Sequence, residues 1–284
     1  MSWLFSNLYR LLLHKGLRGR GILVRSWAWL NPNASQYYLA APDIGEICVN
    51  LRSGMIVPLL DSIFGVGESA LIKYMALFLR PGDVLWDVGA NVGTISLHFS
   101  KNCFGLLQIE AFEPNPDLCD DLGRLFATRP KVRVHPIALG ETQENAFLNL
   151  PPSMDSSMGT LLATKEGVTQ IPISVTSGDL FMKAGGSIPT VIKIDVEGYE
   201  SQVITGMRDL IATAQPVIFF EHLFLPVETV QMLMPPGYTR FFILDGGELT
   251  EDLVTGDWSH DSVLVPAGRH DELSALPIRR AIGN

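Results

Sequence analysis

The chain contains the stretch Val84-Leu85-Trp86-Asp87-Val88-Gly89-Ala90-Asn91-Val92-Gly93-Thr94. An apolar run ends there at an acid, Asp87, and opens into a turn bracketed by Gly89 and Gly93. In open α/β sheets such a turn follows the first strand and precedes a helix, which creates a nucleotide-sized crevice. The stretch therefore predicts a ligand site at the end of a buried strand.

The acid in this turn narrows the class of ligand. The carboxylate of Asp87 would repel a pyrophosphate, whereas it suits a ligand that carries an amine and a sulfonium cation but no phosphate. S-adenosylmethionine is such a ligand, and Asp87 with the amides at the helix start can orient its amino-acid end. Glu113, at the tip of the next predicted strand, is placed to accept both ribose hydroxyls of an adenosine moiety.

An NAD-dependent enzyme is the alternative that this arrangement leaves open. Glu113 lies 20 residues past Gly93, a spacing that also fits an acid on the ribose of NAD. However, the glycine register G-A-N-V-G-T differs from G-x-G-x-x-G, and together with Asp87 it favours S-adenosylmethionine.

After this turn, apolar runs alternate with helical segments. Such a rhythm predicts an α/β fold with a mostly parallel central sheet and helices on both faces. Residues 238–244 and 262–265, separated by turn signals, predict a closing antiparallel hairpin. The predicted parallel strands cover residues 84–88, 106–112, 132–136, 190–196 and 216–220.

The chain also divides into predicted parts. Within the part at residues 43–83 we expect a hairpin over residues 45–60, around Ser53-Gly54. Within the main domain, residues 142–180 break the alternation of strands and helices and predict an inserted strand pair around a mobile loop at 151–160, which could cover a substrate. The parts are a basic amphipathic extension (1–42), a hairpin and helix (43–83), the main domain (84–270) and a tail (271–284).

The charge of the chain is unevenly distributed. The 284 residues carry a formal net charge of −9, made of +5 in the first 42 residues, which contain no acid, and −14 in the rest. An acidic body is a poor counter-surface for phosphate backbones, which disfavours nucleic acid as a substrate. The three cysteines, Cys48, Cys103 and Cys119, lack C-x-x-C spacing and predict core residues in a reducing, cytoplasmic compartment.

The N-terminal segment predicts an amphipathic helix. Leu4, Leu8, Leu11 and Leu12 share one helical face, with basic residues close behind. Arg10 interrupts the apolar part and further charges follow it, so the segment fits neither a secretion signal nor a spanning helix. Two interpretations stay open: peripheral contact with the inner face of an anionic membrane, or packing against the domain or a partner subunit of a homo-oligomer.

A second group of polar residues follows the later strands. Lys193, Asp195 and Glu197 alternate along a strand that should be buried on both faces, and buried charges must be paired or functional. We expect a functional role for Asp195 and Glu197 at the crevice edge, whereas Lys193 fits a structural ion pair equally well. His222 follows another strand and could act as a general base, with the adjacent Glu221 orienting it or binding a metal.

Three motifs resemble the FkbM-type methyltransferases. They cover residues 82–93 (GDVLWDVGANVG), 111–115 (AFEPN) and 191–200 (VIKIDVEGYE), and the match runs from about residue 65 to residue 222. The third motif is the most specific, because many class I methyltransferases share the first two. The resemblance implies a class I, Rossmann-like fold and an S-adenosylmethionine-dependent O-methyltransferase. Its acceptor would be a hydroxyl of a sugar, glycan, lipid-linked saccharide or secondary metabolite.

The resemblance also implies residue roles. A neutral alcohol is a weak nucleophile, so its proton should pass to a base during in-line attack on the methyl group. We assign this role to Asp195, Glu197 or His222, with a divalent ion held among Asp195, Glu197 and Glu221 as an optional helper. A non-catalytic, membrane-associated scaffold of the same fold is the remaining alternative. The implied cofactor contacts are Asp87, Gly89, Asn91, Gly93 and Glu113, with Asn115 and Ala138 beside the adenine, and we add Ala90 of the same turn.

Overall fold

In the computed structural model, nine strands of the described part of the chain form a central mixed sheet. The same part of the chain also forms two smaller sheets, of two and three strands. The structure describes residues 2–16, 19–41, 44–64, 70–100, 107–150, 160–162, 168–222, 225, 229, 232–244, 248–251, 261–273 and 278–279.

The N-terminal part forms helices and a short antiparallel ribbon. Its elements are α1 (Ser2–His14), α2 (Arg20–Leu30), β1 (Tyr37–Ala41), β2 (Gly45–Val49), α3 (Ile56–Phe64) and α4 (Ala70–Phe78). The hairpin predicted over residues 45–60 is wrong, because β2 pairs with the preceding β1 and α3 follows. Ile56, Leu60 and Phe64 are buried and recur every fourth residue, a spacing that fits one face of a helix rather than a strand.

The first helix packs against the rest of the protein. Phe5 and Tyr9 of α1 are fully buried, and the Tyr9 hydroxyl donates to Oδ1 of Asp61 in α3 at 2.7 Å. The same carboxylate pairs with Arg20 of α2 at 3.3 Å. The apolar cluster around these helices also includes Leu122, a residue that follows the glycine turn in the sequence. We call the elements α1, α2, β1, β2 and α3 the N-terminal layer.

The first half of the core has the predicted strand and helix alternation. Its elements are β3 (Val84–Val88), α5 (Thr94–Phe99), β4 (Gln108–Phe112), α6 (Pro116–Leu125) and β5 (Val132–His135). The strands pair in parallel, β3 with β4 and β4 with β5. Helix α6 begins at Pro116 because a proline costs no hydrogen bond in the first turn, and Asn115 caps it.

The inserted segment adds a small sheet beside the core. It comprises β6 (Ala138–Leu139), β7 (Glu144–Leu150) and β8 (Thr169–Thr176), and α7 (Gly178–Lys183) follows. Strands β7 and β8 are antiparallel, which confirms the predicted strand pair, and β6 joins β8 in parallel. Residues 151–159 of the predicted loop lie outside the described residues.

The second half of the chain completes the sheet. Its elements are β9 (Val191–Ile194), α8 (Glu200–Thr205), α9 (Arg208–Ala214), β10 (Val217–Glu221), β11 (Tyr238–Ile243), β12 (Leu249–Thr250), β13 (Asp261–Pro266) and β14 (Ile278–Arg279). Strand β9 lies between β3 and β10 and is parallel to both. Strands β11 and β13 form the predicted antiparallel pair, and β13 is also antiparallel to β10.

The strand order explains where a ligand can bind. Across the sheet the order is β14-β12-β11-β13-β10-β9-β3-β4-β5, so the chain runs outward from β3 on one side and later returns to its other side. In an open α/β sheet such a switch point leaves a crevice at the carboxyl ends of the strands. The predicted α/β fold with a mostly parallel sheet is therefore confirmed. No helix among the described residues is long and apolar enough to cross a membrane.

Candidate active site

A crevice lies at the carboxyl ends of β3, β4 and β9, and its volume, including the space open to solvent, is about 620 Å³. The sequence predicted seven of the residues that line it: Gly89, Asn91, Glu113, Asn115, Ala138, Asp195 and Glu197. The structure thus brings together side chains from three strand ends and from the start of the inserted sheet.

The glycine turn forms one wall because the backbone there comes very close to its neighbour. Gly89 has a φ of 75°, and a Cβ at this position would overlap the carbonyl oxygen of Asp195. The amides of Gly89 and Ala90 donate to the carbonyl oxygen of Phe112 at 3.0 and 2.9 Å, which ties the turn to the end of β4. Only glycine combines this left-handed conformation with so close an approach.

Glu113 stands at the end of β4 with both oxygens engaged by backbone amides. Oε2 accepts from the amide of Asn91 and Oε1 from the amide of Asn115, each at 2.9 Å. Burial raises the pKa of Glu113 to about 7, although these two hydrogen bonds act in the opposite direction. Each carboxylate oxygen has two lone pairs, so a ligand hydroxyl can still donate to either one.

Asn115 contributes an unusual polar group to the crevice. The side chain is buried, and its Oδ1 accepts from the amide of Asp117 at 3.1 Å as the cap of α6. Within the described part of the chain, its Nδ2 has no hydrogen-bond partner. Because an unsatisfied buried donor costs about 1–3 kcal/mol, this amide is a natural contact for a bound molecule with an acceptor atom.

Asp87 lies beneath the crevice and is not among the residues that line it. Its Oδ2 accepts from the amide of Ser96 at 3.1 Å and from the Ser96 hydroxyl at 2.6 Å. The carboxylate is therefore fixed to helix α5, and it supports the turn from behind. Ala90 and Gly93 are likewise absent from the lining, and Gly93 packs against Leu122 of α6.

Lys193 forms a buried ion pair with two carboxylates. Its Nζ lies 3.3 Å from Oδ2 of Asp195 and 3.6 Å from Oδ1 of Asp87, and it donates to the carbonyl oxygen of Gly89 at 3.0 Å. Burial lowers the pKa of Lys193, but the carboxylates of Asp195 and Asp87 raise it by more, so the ammonium stays charged. Of the two interpretations left open by the sequence, the structural ion pair is the one observed.

The turn after β9 carries Glu197 in a strained conformation. Its φ of 53° is left-handed, which is rare for a glutamate. The buried Glu200 holds this turn, because its Oε1 accepts from the amides of Val196 and Gly198 at 3.1 and 3.2 Å. The hydroxyl of Thr160 donates to the carbonyl oxygen of Glu197 at 2.9 Å and so connects the insertion to the site.

Further acids stand at the next strand ends. Phe220 of β10 is paired with Ile194 of β9, which places Glu221 beside Asp195, and Glu221 is itself paired with Asp261 of β13. Burial raises the pKa of Glu221 to about 8, and the neighbouring carboxylates, first that of Asp195, raise it in the same direction.

His222 is held beside this edge and does not line the crevice. Its Nδ1 lies 3.1 Å from the hydroxyl of Ser262 on β13, and its ring packs edge-on against Phe242. Asp195 and Glu197 are therefore nearer to the candidate reaction space than the predicted histidine base.

Within the described residues, Asp195, Glu197 and Glu221 are not placed to hold a divalent ion together, so the optional metal site is not observed. Across the residues that the structure describes, no group of three or more His, Cys, Asp or Glu side chains is placed to hold a metal ion. Asp195 instead forms an ion pair with Lys193, whose Nζ lies 3.3 Å from Oδ2.

Several crevice residues escaped the sequence prediction. Tyr199 belongs to the motif at 191–200, but it was assigned no role from the sequence. Leu148 and Leu161 come from the insertion, and Leu118 comes from the first turns of α6. Their apolar character predicts burial, but nothing in the sequence pattern assigns them to this crevice rather than to the core.

The strand order, the glycine turn and the acid at the end of the second parallel strand fit a class I, Rossmann-like methyltransferase. Residues 87–249 match the methyltransferase FkbM domain, and the chain belongs to this family. The predicted family is therefore confirmed, and membership argues against the NAD-dependent alternative.

Individual relatives are also similar to the chain. The hexuronic acid methyltransferase AglP of Haloferax volcanii is 30% identical over 204 residues, which cover 70% of this chain and 80% of that protein. Among solved structures, the methyltransferase FkbM from Methylobacillus flagellatus KT is 16% identical with a TM-score of 0.44, and the match covers 74% of this chain and 53% of that one. A putative caffeoyl-CoA O-methyltransferase from Staphylococcus aureus is 11% identical with a TM-score of 0.40, covering 92% and 98%.

Proposed function

We propose that the protein transfers a methyl group from S-adenosylmethionine to a hydroxyl group of a saccharide. Family membership supports methyl transfer, and the relative from Haloferax volcanii, a hexuronic acid methyltransferase, supports a sugar acceptor. The observation that carries the proposal is the crevice, where the carboxylate of Glu113 stands beside the buried amide of Asn115.

The cofactor fits the crevice in its chemistry. Glu113 would accept the ribose hydroxyls, and Nδ2 of Asn115 would donate to a ring nitrogen or a ribose oxygen. Leu118 and Ala138 offer apolar surface for the adenine. When bound, S-adenosylmethionine supplies a methyl group activated by a sulfonium centre.

The chain's own residues would manage the acceptor. Asp195 and Glu197 line the crevice, so either carboxylate could accept the proton of the acceptor hydroxyl while the methyl carbon passes from sulfur to the acceptor oxygen and a neutral thioether leaves. Lys193 positions Asp195 from below through their 3.3 Å contact. The negative charges of Asp195 and Glu197 also suit a sulfonium cation, whose charge is lost on methyl transfer. We place Asp195 and Glu197 ahead of His222 because the imidazole does not line the crevice.

Binding of the cofactor is tested first. In isothermal titration we expect S-adenosylhomocysteine to bind and NAD not to bind. Glu113→Ala should weaken this binding, while Glu46→Gln, an exposed change in β2, serves as the matched control. Tight binding of NAD without binding of S-adenosylhomocysteine would sink the proposal.

Catalysis is tested with labelled S-adenosylmethionine and a panel of neutral, amino and uronic sugars, read as a mass shift of the acceptor. At saturating cofactor, we expect Asp195→Asn or Glu197→Gln to lower kcat by about 10²–10⁴, the usual range for a general base. Cofactor binding without methylation of any hydroxyl would favour a non-catalytic scaffold. Wild-type turnover in both variants would remove the base assignment.

A further inference from the structure

The two N-terminal helices each bury part of their surface and leave a row of apolar side chains exposed. In α1, Phe5 and Tyr9 are inaccessible, yet Leu4, Leu8 and Leu11 keep 55, 38 and 48% of their surface exposed. These three leucines are spaced by four and three residues, so they form one row along the helix. The row is the one predicted from sequence, except that Leu12 is half-buried. Packing on the domain and an outward apolar face therefore coexist.

Helix α2 repeats this arrangement. Val24 and Ala28 are buried against the layer, whereas Ile22, Trp29 and Leu30 are 64, 84 and 62% exposed. Scattered single apolar residues on a surface are ordinary, but two successive helices that both present such a row are not. Trp29 is notable because tryptophan is enriched where an apolar phase meets water.

Exposed cations accompany both rows. Lys15 continues the row of Leu8 and Leu11 at the next helical step, and Arg25 lies within one turn of Ile22 and Trp29. Arg10 is exposed on α1 as well. The first 42 residues carry no acid and a charge of +5, whereas the rest of the chain carries −14. The charge of this surface is thus opposite to that of the body.

This combination selects one kind of partner. We propose that the exposed rows of α1 and α2 lie on an anionic lipid surface, with Arg10, Lys15 and Arg25 at the headgroups. An amphipathic helix with cations beside its apolar face binds in the plane of such a surface. The acidic remainder of the protein would be repelled, which orients the chain with its N-terminal layer toward the lipid.

A second copy of the chain is the competing occupant. A two-fold interface would bring two identical surfaces together, each of them with the exposed cations Arg10, Lys15 and Arg25. This repulsion disfavours self-association through the layer. The proposal is independent of methyl transfer, because it concerns helices that contribute no residue to the lining of the crevice.

The test is co-sedimentation of the full chain with vesicles of phosphatidylcholine alone or mixed with phosphatidylserine. We expect binding to the mixed vesicles, and little to the neutral ones. Arg10→Gln/Lys15→Gln/Arg25→Gln should lower the partition coefficient by about 100-fold, since each cation near such a surface contributes about fivefold. Lys73→Gln/Lys131→Gln/Arg208→Gln removes three exposed cations elsewhere and should change it less than about threefold.

The apolar rows are tested separately with Leu8→Ser/Trp29→Ser, which should lower binding to the mixed vesicles by at least about tenfold. Ile188→Ser, at a position 60% exposed outside the layer, is its control. All these side chains are exposed, so thermal unfolding should confirm that each variant folds. The proposal is overturned if the wild-type chain does not bind anionic vesicles, or if the Arg10/Lys15/Arg25 variant binds them as well as its control variant does. It is also overturned if sedimentation velocity shows a dimer that only the Leu8/Trp29 variant dissociates.

Discussion

Nζ of Lys193 lies 3.3 Å from Oδ2 of Asp195, so a buried ammonium supports a carboxylate that lines the crevice. The same ammonium is 3.6 Å from Oδ1 of the fully buried Asp87. Removing one partner of a buried ion pair leaves an uncompensated charge. We therefore expect Lys193→Met to lower the free energy of unfolding by about 3–5 kcal/mol in urea denaturation.

A matched control exists on the surface. Lys183 and Asp209 also form an ion pair, at 3.4 Å, but both side chains are largely exposed. Lys183→Met should cost less than about 1 kcal/mol. The double variant Lys193→Met/Asp87→Asn should recover part of the loss, because it removes the buried charge on both sides. If Lys193→Met is no more costly than Lys183→Met, the buried pair is not stabilising.

Gly89 provides a test of the close approach at the crevice wall. Gly82→Ala places a Cβ in open space at a φ of 95°, so only the left-handed conformation is penalised, by about 1–2 kcal/mol. Gly89→Ala adds overlap with the carbonyl oxygen of Asp195. We expect a larger fall in melting temperature and loss of S-adenosylhomocysteine binding. Equal effects of the two substitutions would show that the turn can relax.

The pKa of Glu113 predicts how cofactor affinity depends on pH. Burial raises this pKa to about 7, and ribose hydroxyls that donate to the carboxylate would favour its ionised form. Affinity for S-adenosylhomocysteine should therefore rise as the pH increases through 7, with a proton released on binding. Calorimetry in buffers of different ionisation enthalpy measures that proton.

Two variants separate Glu113 from the other acid that titrates nearby. Glu113→Gln should bind weakly with a flat pH profile. Glu221→Gln should retain the wild-type profile of cofactor binding, although the pKa of Glu221 is also raised, to about 8. If the pH dependence of cofactor binding is lost only in Glu221→Gln, the group that titrates is Glu221 and not Glu113.

The sequence was most informative where local chemistry suffices. The glycine turn predicted Gly89 at the carboxyl edge of the sheet, and polar side chains at the ends of apolar runs predicted Glu113, Asp195 and Glu197 there, because parallel strands share this edge. The direction of a side chain was beyond this reasoning. Asp87 turns toward Ser96 and Lys193 instead of the crevice, since its contacts depend on how helix α5 packs on β3.

Contacts between side chains on neighbouring strands also could not be predicted from the sequence. Glu110 and His135 are 25 residues apart, and only the register of β4 and β5 brings His135 Nε2 to 2.6 Å from Oε2 of the buried Glu110. The same limit explains why Leu148 and Leu161, which reach the crevice from the insertion, were not predicted to line it. A short apolar run such as 56–64 fits a strand or a helix until its neighbours decide.

The Glu110–His135 pair predicts an acid-dependent part of the stability. Burial alone would raise the pKa of Glu110, but hydrogen bonds from His135, Gln108 and Ser187 lower it overall. A carboxyl with a lowered folded-state pKa stabilises the protein above its unfolded pKa of about 4.5, and this contribution is lost as the pH falls below it. Glu110→Gln should therefore cost about 2 kcal/mol near neutral pH and progressively less below about 4.5. A cost that does not change with pH would contradict the assignment.

Asn115 has two separable roles, because its Oδ1 caps α6 while its Nδ2 has no hydrogen-bond partner among the described residues. Serine is also a good helix cap but has no amide. Asn115→Ser should therefore change the free energy of unfolding by less than about 1 kcal/mol, yet weaken S-adenosylhomocysteine binding about tenfold in calorimetry. Ser177→Ala removes the cap of α7, where the hydroxyl accepts from the amide of Leu180, and should cost about 1 kcal/mol without changing affinity. Wild-type affinity in Asn115→Ser would mean that the amide contacts no cofactor atom.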